Sequence, residues 1–182
     1  MVERALVAHR SSALSAEVAV TANAEVAGAT VLRFTYRLDG QLARLAIPAR
    51  VAAQRAERLW EHTCFEAFVA VGADGRYCEL NFSPSTQWAA YEFDGYREGM
   101  RPLALAAPPS IAVVARKNEL RVTASVDRAA LGDAPWPWRV GLTAVVEDRA
   151  GACGYYALEH PRDKPDFHDA AGFLLSLDGS AR

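Results

Sequence analysis

From His62 to Phe82 the chain alternates with a period of two on both sides of a tight turn, and that pattern admits few folds. Thr63, Phe65, Ala67, Val69 and Val71 fall on one side of an extended strand. His62, Cys64, Glu66 and Phe68 fall on the other. Gly72-Ala73-Asp74-Gly75 supplies two glycines for the turn, and a second strand runs from Arg76 to Phe82. With Val71 opposite Arg76, Phe65 meets Phe82, Ala67 meets Leu80 and Val69 meets Cys78, all apolar. The other face sets Glu66 opposite Asn81 and Phe68 opposite Glu79. A slip by one residue would drive Glu79 and Asn81 into the core, so burial fixes the register. Cys64 and Cys78 then point to opposite faces, where they neither bond to each other nor share a metal.

The same period recurs along the chain. Residues 1–16 carry no clear period and are expected along the sandwich edge. Strands are expected over Glu17–Val26 and Ala29–Leu38, the second with Leu32, Phe34, Tyr36 and Leu38 inward. Asp39-Gly40 reads as a hairpin turn, with Gln41–Ile47 returning as a strand that Pro48 ends. Ala49–Leu59 reads as a short helix or an ordered loop. Gln87–Phe93 is a further strand, and Asp94–Pro109 is a long connection of the kind that often carries function. Ser110–Arg116 and Glu119–Asp127 form a hairpin over Lys117-Asn118. Arg128–Leu131 allows at most one helical turn. Trp138–Glu147 is a long strand with Trp138, Val140, Leu142, Ala144 and Val146 inward. Gly154–His160 and Gly172–Leu177 complete the set around a polar loop, His160–Asp169. Roughly ten short strands with hairpin turns and no crossover helices predict an all-β fold, an antiparallel β-sandwich.

At 182 residues the chain is expected to form one domain over 1–182, a size that buries about 70% of its unfolded surface. A net charge of −2 leaves no electrostatic footprint for nucleic acid or an anionic membrane. No apolar run approaches the ~20 residues a helical span needs. Ala5–Ala8 is cut short by His9-Arg10-Ser11-Ser12, which makes a poor signal peptide. Three cysteines argue against a disulfide framework. A cytoplasmic chain with reduced thiols is expected.

Glu66, Glu79 and Asn81 share one strand face, with Trp60 just before it. Rings stack on the C–H face of a sugar while carboxylates accept its hydroxyl hydrogens, so the set suits a saccharide or polyol. Gln87 and Arg97 extend the polar set. The loop Glu159–His168 is stiffened by Pro161 and Pro165, and Lys164, Asp166 and His168 are its candidates for the site. His62 and Cys64 share a face, but neither C-x-x-C pairing nor four converging ligands are evident, so no metal site is expected.

Leu59-Trp60-Glu61-His62-Thr63-Cys64-Phe65-Glu66, then Glu79-Leu80-Asn81-Phe82-Ser83-Pro84-Ser85 and Trp88, resembles the DOMON-like family, which is related to the family 9 carbohydrate-binding modules. The resemblance implies an antiparallel sandwich that binds sugars or haem. In its sugar-binding branch a Trp six residues before a strand Glu forms part of the site, and Trp60 and Glu66 match. A second Trp near the C-terminus normally completes a ring sandwich. No Trp follows Trp138, and Phe167 is a weak substitute. In the haem branch a Met and a His hold the iron, which draws attention to Met100.

The expectation is therefore a non-enzymatic module for a saccharide or polyol that needs no cofactor. Three alternatives stand beside it: a protein-interaction or scaffold domain, a haem-binding domain, and an inverting glycoside hydrolase. For the hydrolase, Glu66 and Glu79 as diagonal neighbours lie roughly 7–8 Å apart at their β-carbons, against the about 6.5–9.5 Å between carboxyl groups that inversion requires. Polar neighbours are expected to keep both acids ionised, which counts against that reading.

Overall fold

A computed structural model describes residues 3–179. Among them are twelve strands and only single turns of 3-10 helix. The strands are β1 (Arg4–Ala8), β2 (Val18–Ala27), β3 (Val31–Gly40), β4 (Cys64–Ala70), β5 (Tyr77–Phe82), β6 (Trp88–Phe93), β7 (Arg101–Pro102), β8 (Ser110–Ala115), β9 (Glu119–Asp127), β10 (Trp138–Glu147), β11 (Cys153–Ala157) and β12 (Leu175–Leu177). The all-β expectation holds.

Every strand pair is antiparallel. One layer runs β8-β9-β3-β2 and the other β7-β6-β5-β4-β10-β11, with β1 pairing to both β2 and β11. β12 pairs the start of β10. The layers meet through β3, whose Leu32, Phe34, Tyr36 and Leu38 are fully buried as their alternation predicts. Phe34 lies 5.7 Å from Phe82 and Tyr36 lies 5.1 Å from Phe65, centroid to centroid. Each such ring contributes about 1.5–3 kcal/mol by leaving water. The Tyr36 hydroxyl donates to the Glu66 carbonyl at 2.7 Å, so even the polar tip of that ring is satisfied. The central hairpin pairs in the register that burial demands: Phe65 with Phe82, Ala67 with Leu80, Glu66 with Asn81.

Three sequence expectations give way. The N-terminal segment is not at the edge, because Arg4–Ala8 is the strand that joins the two layers. Asp39-Gly40 is not a turn. Both residues stay in the ladder, with Gly40 opposite Val18 and its N–H donating to the Asn118 carbonyl. A β-carbon on Gly40 would sit 2.9 Å from the Glu17 carbonyl oxygen, so the glycine serves close strand approach rather than chain reversal. Gln41–Ile47 accordingly does not return as a strand. Leu42–Arg44 is a 3-10 turn, and buried Leu45 bridges to Asp148. Ala49–Leu59 is an ordered loop, held where Arg55 donates to the Ala90 and Leu103 carbonyls and lies 4.6 Å over the Trp88 ring.

A second, smaller apolar cluster occupies the opposite face of β4, β5 and β6. Phe68, Tyr77, Ala89, Tyr91, Phe93 and Phe173 form it, with Leu59, Trp60, Ala70 and Phe167 against it. Aromatic rings among acids on such a face call for a covering loop or a ligand. Loops cover this face, and every residue of β5 is buried.

Candidate functional site

Three segments far apart in sequence converge on the β4–β5 face: the 3-10 turn Leu59–Glu61, the loop after β6, and the loop between β11 and β12. Between them lies a cavity of about 320 Å³, within the usual range for small-ligand sites. Its floor is Glu66, Phe68, Glu79 and Phe93. Trp60 stands on one side with Arg97 and Met100, and Val145 with Tyr155 on another. Pro165, Phe167 and His168 close it.

Strand pairing places the floor. Glu66 lies between Asn81 on β5 and Thr143 on β10, while Glu79 lies between Phe68 on β4 and Tyr91 on β6. The Asn81 amide donates to Glu79 Oε1 at 2.8 Å and is itself fully buried, so it orients Glu79 from beneath rather than facing the cavity. Half-buried Trp60 meets Tyr91 edge to face at 5.9 Å, and Tyr91 is fixed by donating to Glu57 at 2.6 Å. Edge-to-face contact of this kind holds a ring at a defined angle.

Glu66 is 2% exposed, and its Oε1 has no hydrogen-bond partner. The Thr143 hydroxyl beside it has none either. Burial pushes the Glu66 carboxyl well above the ordinary carboxylate range, and the Glu79 charge pushes it further. Burial raises Glu79 as well, although the Asn81 amide and Arg97 pull against it. Burial thus works against the expectation that polar neighbours keep both acids ionised, most strongly at Glu66. The Asn81 amide serves Glu79, and at Glu66 the Thr143 hydroxyl lowers the carboxyl less than burial and the Glu79 charge raise it.

Tyr77 and His168 are joined at 2.7 Å through the Tyr77 hydroxyl and Nδ1, and the Arg97 backbone N–H donates to the same hydroxyl at 3.2 Å. Burial, with Arg97 nearby, pushes His168 down to about 4, so its ring is neutral at neutral pH. Its Nε2 faces Glu79 at 3.8 Å. Asp166 ties the two covering loops together, accepting from the Tyr96 hydroxyl and from Arg97 Nη2, the latter at 3.0 Å. Burial alone would raise the Asp166 carboxyl, but Tyr96 and Arg97 outweigh it and hold it below the ordinary range.

Of the residues singled out from sequence, Trp60, Glu66, Glu79, Arg97 and His168 line the cavity. Asn81 lies beneath it and Asp166 secures its cover. Two fall elsewhere. Lys164 is exposed and does not line the cavity. Gln87 precedes β6, its carbonyl accepts from Ser83 N–H, and Ser85 holds its amide at 3.1 Å, beside Pro48 and Ala56 rather than Trp60.

Met100 and His168, the residue types that would hold a haem, both line the cavity, but the site does not fit one. His168 Nδ1 is taken by Tyr77 and Nε2 is turned to Glu79. Among the described residues no three His, Cys, Asp or Glu side chains gather as a metal site.

The sequence matches no protein-family model and no curated protein. Solved structures do resemble it. A candidate carbohydrate-binding protein of Bacteroides uniformis superposes with a TM-score of 0.70 at 14% identity, over 97% of this chain and 85% of that one. A family 9 carbohydrate-binding module of Caldicellulosiruptor kristjanssonii, in complex with glucose, superposes with a TM-score of 0.53 at 8% identity, over 95% of this chain and 82% of that one. The chain shares their fold.

Within that fold, sequence reading misses Val145, Tyr155, Phe93 and Pro165 as lining residues. A signal for Val145 exists. Val140–Val146 is buried at every position, and a strand apolar on both faces is one that is covered on both. Tyr155 carries no such mark, since it lines the cavity only because β11 pairs with β10.

Proposed function

We propose that the chain is a non-enzymatic, DOMON-like saccharide-binding domain spanning residues 1–182, working in the cytoplasm without a cofactor. The observation that carries this reading is an aromatic-walled cavity with two carboxyl groups and a neutral imidazole at its floor. Trp60 presents an apolar platform to a sugar ring. Glu66, which burial pushes toward the neutral form, can both donate and accept, and Glu79 accepts, which suits neighbouring hydroxyls. A shared fold with a module seen in complex with glucose supports the same class of ligand.

Trp60→Ala tests the reading. Trp60 stands at the rim of the smaller cluster, so thermal unfolding should shift by only a few degrees, consistent with about 1 kcal/mol. Binding on a glycan array should fall by at least about tenfold, the loss expected of one aromatic anchor. Retained binding would remove the cavity from consideration.

One observation favours a second reading. A Glu66 carboxyl pushed upward, diagonal to Glu79 across the ladder, puts two acids of unequal environment on one face, the kind of pair that inverting glycoside hydrolysis uses. Incubation with oligosaccharides separates the two: new reducing ends mean hydrolysis, and unchanged oligosaccharide means binding alone.

A further inference from the structure

We infer that the occupant of this cavity carries a protonated amine, so that among saccharides the chain selects amino sugars over neutral ones. The inference rests on reading the cavity as a saccharide site and names the ligand more closely.

Two carboxyl groups lie in the floor with no Arg or Lys among the described residues paired to either, and Arg97 acts on Glu79 only at a distance. Glu66 is 2% exposed and its Oε1, buried without a partner, belongs to the residue forming the cavity floor. Glu79, diagonal to it across the β4–β5 ladder, is 5% exposed and receives only the Asn81 amide, a neutral donor. His168 Nε2 at 3.8 Å is beyond hydrogen-bond reach, and the ring carries no charge at neutral pH. Arg97 is the one basic side chain on the wall that is always charged, and Asp166 engages it at 3.0 Å. A hydroxyl entering here would hydrogen-bond a carboxylate but leave its buried charge uncompensated, which is costly in a low-dielectric site.

An ammonium group answers both needs. It brings donors to Glu66 and Glu79, which line the cavity, and it supplies a positive charge beside them. Around it stand Trp60, Phe68, Phe93, Tyr155 and Phe167, rings whose faces attract cations. A neutral sugar meets the same rings and acceptors but brings no charge to the acid pair.

Proton balance follows. With the cavity empty, burial and the mutual repulsion of the two carboxyls favour a proton held by the acid pair. The entering R–NH3+ replaces it, and one proton leaves to solvent for each ligand bound. The other titratable or charged groups facing the pair are Cys64 and Tyr36 behind Glu66, Tyr77 and Tyr91 flanking Glu79, and His168, Arg97 and Asp166 above. Of these the thiol and phenols are neutral at neutral pH and His168 titrates near 4, so the released proton comes from the pair.

Calorimetric titration of the full chain with glucose, N-acetylglucosamine, glucosamine and cyclohexylamine at neutral pH tests this, in two buffers of different ionisation enthalpy. Glucosamine should bind about tenfold or more tighter than either neutral sugar, with proton release that the neutral sugars do not show. Glu66→Gln and Glu79→Gln, each checked for folding by circular dichroism, should erase the preference. Equal binding of glucose and glucosamine overturns the inference and leaves the saccharide reading standing. Cyclohexylamine binding without any sugar supports the amine and ends the saccharide reading. Silence from all four ligands overturns both.

Discussion

Glu66 stands between Phe65 and Ala67, which belong to the main core, and it points the other way into a space that is equally dry. Its direction was legible in the sequence, because period-two alternation leaves only one parity that keeps Glu79 and Asn81 out of the core. Its burial was not. The cover comes from Arg97, Phe167 and His168, residues up to about a hundred positions away that no local pattern connects to β4. The consequence is a pH dependence. Because burial raises the folded carboxyl above its ordinary 4.5, the folded chain holds a proton that the unfolded chain has released. Stability from this group is full below pH 4.5 and is lost as pH rises through the folded value, by at most about 1.4 kcal/mol per pH unit. His168 has the opposite sign between about 4 and 6.5, and Glu79 has the same sign as Glu66, so the raw slope mixes all three. The difference between wild type and Glu66→Gln cancels His168 and leaves Glu66 with its coupling to Glu79, since glutamine cannot ionise. Urea unfolding at pH 5 and pH 8 should show the variant gaining on wild type as pH rises. A constant difference would mean Glu66 is ionised throughout. Asp148, pulled down to about 2 by the Ser15 hydroxyl, changes only in more acid solution and does not interfere.

Among the elements, β10 binds the two sides of the molecule together. It carries Trp138, Val140, Leu142, Ala144 and Val146 into the main core, while Thr143 and Val145 face the site. The inward set follows from alternation, and the strand's length follows from its unbroken apolar run. The elements that sequence reading misplaced are those whose placement depends on pairing with distant strands rather than on alternation. Arg4–Ala8 has one buried residue and exposed neighbours, so only pairing on both edges makes it a strand. Gln41–Ile47 alternates, but Gly40 keeps the ladder and the chain leaves it as a 3-10 turn. Gly141 is the point at which β10 positions the site. It lies opposite Phe68, and a β-carbon there would come 2.7 Å from Phe173 Cδ1. Phe173 in turn stacks on Phe68 at 5.9 Å, closing one end of the smaller cluster. Gly141→Ala should therefore displace the segment around Phe173 and cost about 1–3 kcal/mol, the usual range for overpacking. Chemical denaturation measures the loss. A neutral outcome would mean that Phe173 moves aside freely.

At the scale of the whole molecule, two apolar clusters lie back to back on β4, β5 and β6, one holding the layers together and one lining the site. The first rests on strands and the second on loops, which gives them different mechanical roles. Phe34→Ala removes a fully buried ring at the layer interface and should cost about 3–5 kcal/mol. Asp166→Ala removes the carboxylate that joins Tyr96, the Arg97 guanidinium and the His168 N–H, and so unties the two covering loops from each other. Arg97 is half exposed, so that tie is screened by water and contributes little to global stability, within about 1 kcal/mol. Its effect belongs to the kinetics of the site. Freed loops must be ordered again with each binding event, and a bound sugar escapes sooner. Stopped-flow tryptophan fluorescence with glucosamine should show dissociation from Asp166→Ala faster by about tenfold, because affinity differences between related complexes fall mostly in the dissociation rate, while the urea midpoint stays near wild type. A midpoint lowered as far as by Phe34→Ala would show that cover and core unfold as one unit, and the division of labour between loops and strands would not hold.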